Sequence, residues 1–204
     1  ERGKERKGKK RKGSLVVRAP LCAFDVKTGI FCAKCEAKIR SGEVTDVDVA
    51  AIKALVDLEE KFPILQDVNF HRAVRVGRTI AILVDHDDVP KMLSSGGKIL
   101  KALGDSLKKK VRVFENKGDL RTFIESLFAP LNVLSVNTIW VPDGSQEIRV
   151  ILSGPERSLP MDLESLKKLA KEIRNLNLRI DFERPKGRGY DSGWRSSQRK
   201  RPRR

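Results

Sequence analysis

The chain has 204 residues, of which 39% are hydrophobic and 34% charged, and its 43 Lys and Arg outnumber 27 Asp and Glu for a formal net charge of +16. That composition supports a folded core in one large or two to three small domains, and its cationic balance points to polyanionic partners and away from the surfaces that receive basic ones. The longest strongly apolar run, Ile80–Val84, is far short of the ~20 residues a bilayer crossing needs, and no apolar segment of secretory type follows the basic N-terminus, so a cytoplasmic protein without membrane contact is expected.

Taken in chain order, residues 1–13 hold eight Lys or Arg and two Glu, a net +6, while residues 184–204 hold nine against one Asp, a net +8. The ends therefore carry +14 of the +16, and residues 14–183 are close to neutral. Residues 1–13 and 184–204 lack aliphatic side chains, so a basic N-terminal arm (1–19) and a basic Arg/Gly C-terminal arm (184–204) are expected to be disordered on their own. In the second arm Arg188, Arg195, Arg199, Lys200 and Arg201 are suited to phosphates, and the interleaved Tyr190 and Trp194 to stacking on bases. A solvated tail is the plainer reading; arms this basic at both ends favour RNA or another polyanion.

Residues 20–43 contain the three cysteines, Cys22, Cys32 and Cys35. Cys32-Ala-Lys-Cys35 has the spacing with which two thiolates reach one tetrahedral zinc. The place of a second such pair is taken by Cys22-x-x-Asp25, so a site for one structural zinc held by Cys22, Asp25, Cys32 and Cys35 is expected. A disulfide, a redox pair and the remnant of a lost metal site are the competing uses of the same residues; no βαβ context supports the redox pair.

From residue 44 onward the periodicity predicts one plan twice. Thr45 and Asp48 form a capping-box-like start, with apolar Val49, Ile52, Leu55, Val56 and Phe62 at helical spacing and a stop at Pro63. Strands follow at about Val68–Val76 and Thr79–Asp85 around Gly77-Arg78, then a short helix Val89–Leu93, the loop Ser94-Ser95-Gly96-Gly97, a helix Lys98–Lys108 and a strand Val111–Phe114. The order αββααβ then recurs: helix Leu120–Phe128, strands Val133–Val141 and Glu147–Leu152 around Pro142-Asp143-Gly144, Ser153–Pro160 in place of the short helix, helix Asp162–Arg174 and strand Leu178–Phe182. The expected fold is α+β, with one module over 44–117 and a degenerate second over 118–183.

Val89-Pro90-Lys91-Met92-Leu93-Ser94-Ser95-Gly96-Gly97-Lys98-Ile99-Leu100-Lys101 resembles the loop of a KH domain of the type whose helix precedes the sheet. Two such modules in tandem, the second containing Leu131–Asn137, behind the cysteine segment Cys32–Ile39 with Gly42-Glu43, resemble the archaeal NusA-like proteins over about residues 20–183. In a KH loop a Gly-x-x-Gly turn between two helices lets a nucleic-acid backbone approach closely, and the adjacent groove reads unpaired bases. The resemblance places that role on Ser94, Ser95, Gly96 and Gly97, with Lys91, Lys98 and Lys101 supplying charge. Ser94 stands where the motif has its first glycine, and the second module has no Gly-x-x-Gly, so a mainly structural or protein-contacting part is expected of it.

Asp85-His86-Asp87-Asp88 is the one dense acidic and histidine cluster, and Asp88 reads better as the start of the following helix than as a metal ligand. His71 stands alone on a strand. No nucleophile elbow, phosphate-cradling loop of Walker type, dinucleotide fingerprint or zinc-protease motif is present. The expected function is that of a non-enzymatic, NusA-like RNA-binding protein without a small-molecule substrate, which by resemblance acts in transcription elongation or termination through nascent RNA and RNA polymerase. The alternative is a ribosome-associated protein whose arms bind ribosomal RNA beside ribosomal proteins.

Overall fold

Residues 17–142 and 144–183 are described by a computed structural model. Residues 1–16 and 184–204 lie outside the described residues, and with them Arg188, Tyr190, Trp194, Arg195, Arg199, Lys200 and Arg201. Two short helices come first, α1 (Ala23–Thr28) and α2 (Ala33–Arg40). Helix α3 (Asp46–Leu58) starts at the anticipated capping box: the Thr45 side chain accepts from the Asp48 N–H, and the Asp48 carboxylate accepts from the Thr45 N–H at 2.7 Å. Phe62, which apolar spacing puts on this helix, lies beyond it. Pro63 opens a 3-10 turn (Pro63–Asp67) and keeps Phe62 out of helical backbone, at φ −131° and ψ 83°.

Strands β1 (Phe70–Val76) and β2 (Thr79–Val84) pair antiparallel around Gly77-Arg78, and β3 (Lys110–Glu115) runs parallel to β2. Helices α4 (Asp88–Leu93) and α5 (Lys98–Leu107) form the crossover between β2 and β3. The second half repeats the layout: α6 (Leu120–Phe128), then β4 (Asn132–Trp140) antiparallel to β5 (Gln146–Ser153), then α7 (Leu163–Arg174), then β6 (Leu178–Phe182) parallel to β5. A 3-10 turn at Glu156–Ser158 stands where α4 stands in the first half. Asp119 and Asp162 cap α6 and α7 by accepting backbone N–H groups of their first turns. The architecture is mixed α+β with two three-stranded sheets, ordered β1-β2-β3 and β4-β5-β6.

Every residue of β2 is buried, because both faces of its sheet are covered. Ile80, Ile82 and Val84 pack in one apolar cluster with Ile52 and Leu55 of α3, Met92 of α4 and Ile99 and Leu103 of α5. Ala81 and Leu83 face the other way, into a cluster with Phe123 and Leu127 of α6, Leu166 and Leu169 of α7, and Ile148, Val150 and Leu152 of β5. The first sheet is thus a shared wall between the halves.

Two arginines tie that wall down. Arg112 of β3 donates to the carbonyls of Ser126 and Leu127, at 2.6 and 3.0 Å, at the C-terminal end of α6. Arg174, in the last turn of α7, donates to the Gly118 carbonyl at 2.6 Å and lies 4.6 Å from the centre of the Phe123 ring. Burial pushes both guanidinium groups below their ordinary value. No helix among the described residues is long and apolar enough to cross a membrane.

Candidate functional site

The cysteine segment is built from two helix starts. Cys22 is the N-cap of α1 and Asp25 its third helical residue; Cys32 is the N-cap of α2 and Cys35 its third. N-cap and third-residue side chains lie on the same side of a helix end, so each x-x spacing points two donor atoms at one place. The backbone hydrogen bonds cross between the two starts. The Cys22 N–H donates to Cys35 Sγ at 3.3 Å, and the Cys32 N–H donates to Asp25 Oδ2 at 2.9 Å. One ligand atom from each of Cys22, Asp25, Cys32 and Cys35 lies within 4.8 Å of all the others, close enough to hold a metal ion. Among the described residues this is the one such cluster, and its three thiols are free.

The sequence motif singles out these four residues; the crossed hydrogen bonds and the inequality of the two pairs emerge only in three dimensions. Cys22 and Cys32 are exposed, whereas Asp25 and Cys35 are buried. Hydrogen bonds from the Cys32 side chain, the Cys32 backbone and the Cys35 thiol hold the Asp25 carboxyl below its usual range. Burial pushes the Cys35 thiol up to about 12. Cys35 belongs to the same apolar cluster as Leu21, Val26, Val44 and the core face of α3, which anchors the segment to the first half.

The loop between α4 and α5 is exposed at Ser95 and Gly96. Ser94, at the position of the motif's first glycine, has φ −59° and donates its hydroxyl to the Lys91 carbonyl at 2.6 Å. It therefore needs none of glycine's freedom. The left-handed stretch falls on the next three residues, Ser95 at φ 59°, Gly96 at 62° and Gly97 at 76°. A Cβ at Gly96 or Gly97 would meet nothing within 4 Å, so that face of the loop is open.

The three lysines assigned to this loop are not equivalent. Lys98 and Lys101 are exposed and without an ion-pair partner among the described residues. Lys91 is engaged: its ammonium lies 2.6 Å from Asp88 Oδ1 and 3.3 Å from the Asp67 carbonyl, and the Asp88 hydrogen bond raises its pKa. Asp88 is the first residue of α4 and is buried, and its other oxygen accepts the Asn69 N–H at 2.7 Å. It is therefore an internal tie and not a solvent-facing cap. The remaining members of the acidic–histidine cluster disperse, with His71 Nε2 at 2.5 Å from Asp85 Oδ1 and His86 Nδ1 at 3.2 Å from Glu115 Oε2. In the second half, the Glu156–Ser158 turn replaces any Gly-x-x-Gly loop.

No family model and no curated protein matches the chain. A solved structure described as "Crystal structure of APE1850" is similar over 64% of this chain and 96% of its own, at 16% identity and a TM-score of 0.44. Similarity at that level says nothing of family or function.

Proposed function

We propose that this chain is a non-enzymatic RNA-binding protein of NusA-like type, in which two KH-like modules follow a zinc-holding cysteine segment and flank-to-flank basic arms add backbone affinity. The observation that carries the reading is the helix–loop–helix of α4 and α5, whose Ser95-Gly96-Gly97 backbone is left-handed and open to solvent. It sits within an αββααβ order that the chain uses twice, with a 3-10 turn for the second short helix. An open turn of this kind admits a sugar–phosphate backbone, and Lys98 and Lys101 stand on the following helix to meet it. The natural process for such a protein is transcription elongation or termination through nascent RNA and RNA polymerase.

For the metal, the donor chemistry fits zinc. Three sulfurs and one carboxylate oxygen form a closed four-ligand set, and tetrahedral zinc with ~2.3 Å bonds to sulfur needs sulfurs about 3.8 Å apart. The 4.8 Å spread of the donor atoms is a small contraction away from that. Four protein ligands make the zinc structural, joining α1 to α2, with no part in a reaction.

Two measurements test the RNA reading. Ultraviolet crosslinking of the full chain to single-stranded RNA, followed by peptide mapping, should label residues 94–101, and Gly97→Asp should suppress that label by placing a carboxylate against the phosphates. Labelling that is indifferent to Gly97→Asp removes the loop from the interface. Co-sedimentation with ribosomal subunits that survives high salt would instead favour ribosomal RNA as the partner.

A further inference from the structure

Lys108, Lys109 and Lys110 run off the C-terminal end of α5 into β3. They line an open cleft of about 960 Å³ together with Lys101 from within α5 and Arg78 from the β1–β2 turn, and Met161 ahead of α7 contributes to its wall. Asp105 is the one acidic lining residue. Among the described residues none of these five cations has an ion-pair partner. A cation at a helix C-terminus is accounted for by the macrodipole, and Lys108 alone would need nothing more. Lys101 lies about two turns earlier on the helix and Arg78 belongs to a different element, so the macrodipole does not explain why they converge.

A second depression, of about 440 Å³, takes Gly77 of the same turn into its lining, with Ser165, Lys168 and Lys171 among others. Lys167 there is tied to Glu164 at 3.1 Å, while Lys168 and Lys171 have no ion-pair partner among the described residues. Gly77 has φ 56°, and a Cβ on it would lie 4.0 Å from Ser165 Oγ, so the turn comes close to the first turn of α7. Consecutive residues, Gly77 and Arg78, thus belong to the two depressions, and both depressions take residues from both halves of the molecule.

We propose that the two depressions are one continuous track for the sugar–phosphate backbone of single-stranded RNA, running from Lys101 and Lys108–Lys110 past Arg78 to Lys168 and Lys171. The track rests on the RNA-binding reading above and adds a second contact surface to it. The Ser94–Gly97 loop sits at the N-terminal end of α5 and the cleft reaches its C-terminal end, about 15 Å along a ten-residue helix. No aromatic ring is among the residues lining either depression. The track therefore holds backbone without stacking bases, and its contribution is independent of sequence.

The test is fluorescence anisotropy of the full chain with a labelled 12-nucleotide oligouridylate and a mixed-sequence RNA of equal length, across a salt series. The variant is Lys108→Gln/Lys109→Gln/Lys110→Gln, which leaves Lys98 and Lys101 beside the loop in place, with its melting temperature measured alongside. Loss of three phosphate contacts should lower the slope of log affinity against log salt by about 2 and weaken binding about a hundredfold near 0.1 M salt, equally for both RNAs, at an unchanged melting temperature. Wild-type binding with an unaltered slope in the variant overturns the track and leaves the RNA reading standing. Absence of wild-type binding overturns that reading and the track with it. Displacement of RNA by oligoglutamate as effectively as by unlabelled RNA would overturn the track as a nucleic-acid site and make it one for an acidic protein segment.

Discussion

Asp48 makes one side chain serve two elements. One carboxylate oxygen accepts the Thr45 N–H and the Thr45 hydroxyl, both at 2.7 Å, and the other accepts the N–H of Ala73 in β1. Glu, the more usual residue in a capping box, would put its carboxylate one methylene further out. Asp48→Ala keeps the Thr45 hydroxyl on the first turn of α3 but leaves the Thr45 N–H and the buried Ala73 N–H without their acceptor, and should destabilise the protein by about 2–4 kcal/mol in urea melts. Asp48→Asn, which keeps an acceptor, should recover part of that loss; equal stability of wild type and the Ala variant would show that the cap contributes nothing. Lys91 shows the opposite relation between residue type and role. Its place in the KH-like segment suggests a phosphate ligand, yet its ammonium is committed to the buried Asp88.

At the scale of elements, Arg112 links β3 to the end of α6, and α6 is the first helix of the second half. Arg112→Leu keeps apolar volume but leaves the carbonyls of Ser126 and Leu127 without that donor. A loss of about 1–3 kcal/mol is expected, measured by thermal and urea denaturation; no loss would mean that water replaces the guanidinium at no cost. Element order was legible from the chain because apolar period and caps are local signals: Thr45 with Asp48, Asp162 before Leu163, Pro63 after α3. The gathering of Cys22, Asp25, Cys32 and Cys35 close enough to hold a metal ion was legible too, since both pairs follow an x-x spacing. Contacts between elements were not. Nothing local says that Ala81 and Leu83 face α6 and α7 while Ile80 and Ile82 face α3 and α5. Nor does a near-neutral total over residues 14–183 show that Arg78, Lys101 and Lys108–Lys110 gather on one side.

For the molecule as a whole, the cysteine segment tests how far a metal reaches into the fold. Native mass spectrometry should find one zinc per chain, and Cys32→Ser should lose it. Without the metal, the buried Cys35 thiol stays neutral, since its pKa stands at about 12, so the apolar cluster it belongs to need not come apart. Chelation should therefore speed amide exchange in α1 and α2 and leave β2 protected, whereas loss of protection throughout would make the metal a condition of folding. The covered first sheet has a consequence of its own. With β2 clamped between helices of both halves, the open loop after α4 and the lysines of α7 are held at a set separation, like marks on a ruler. On the RNA reading proposed above, a nucleic-acid strand touching both must have a minimum reach, and fragments shorter than that gap should dock at only one mark at a time.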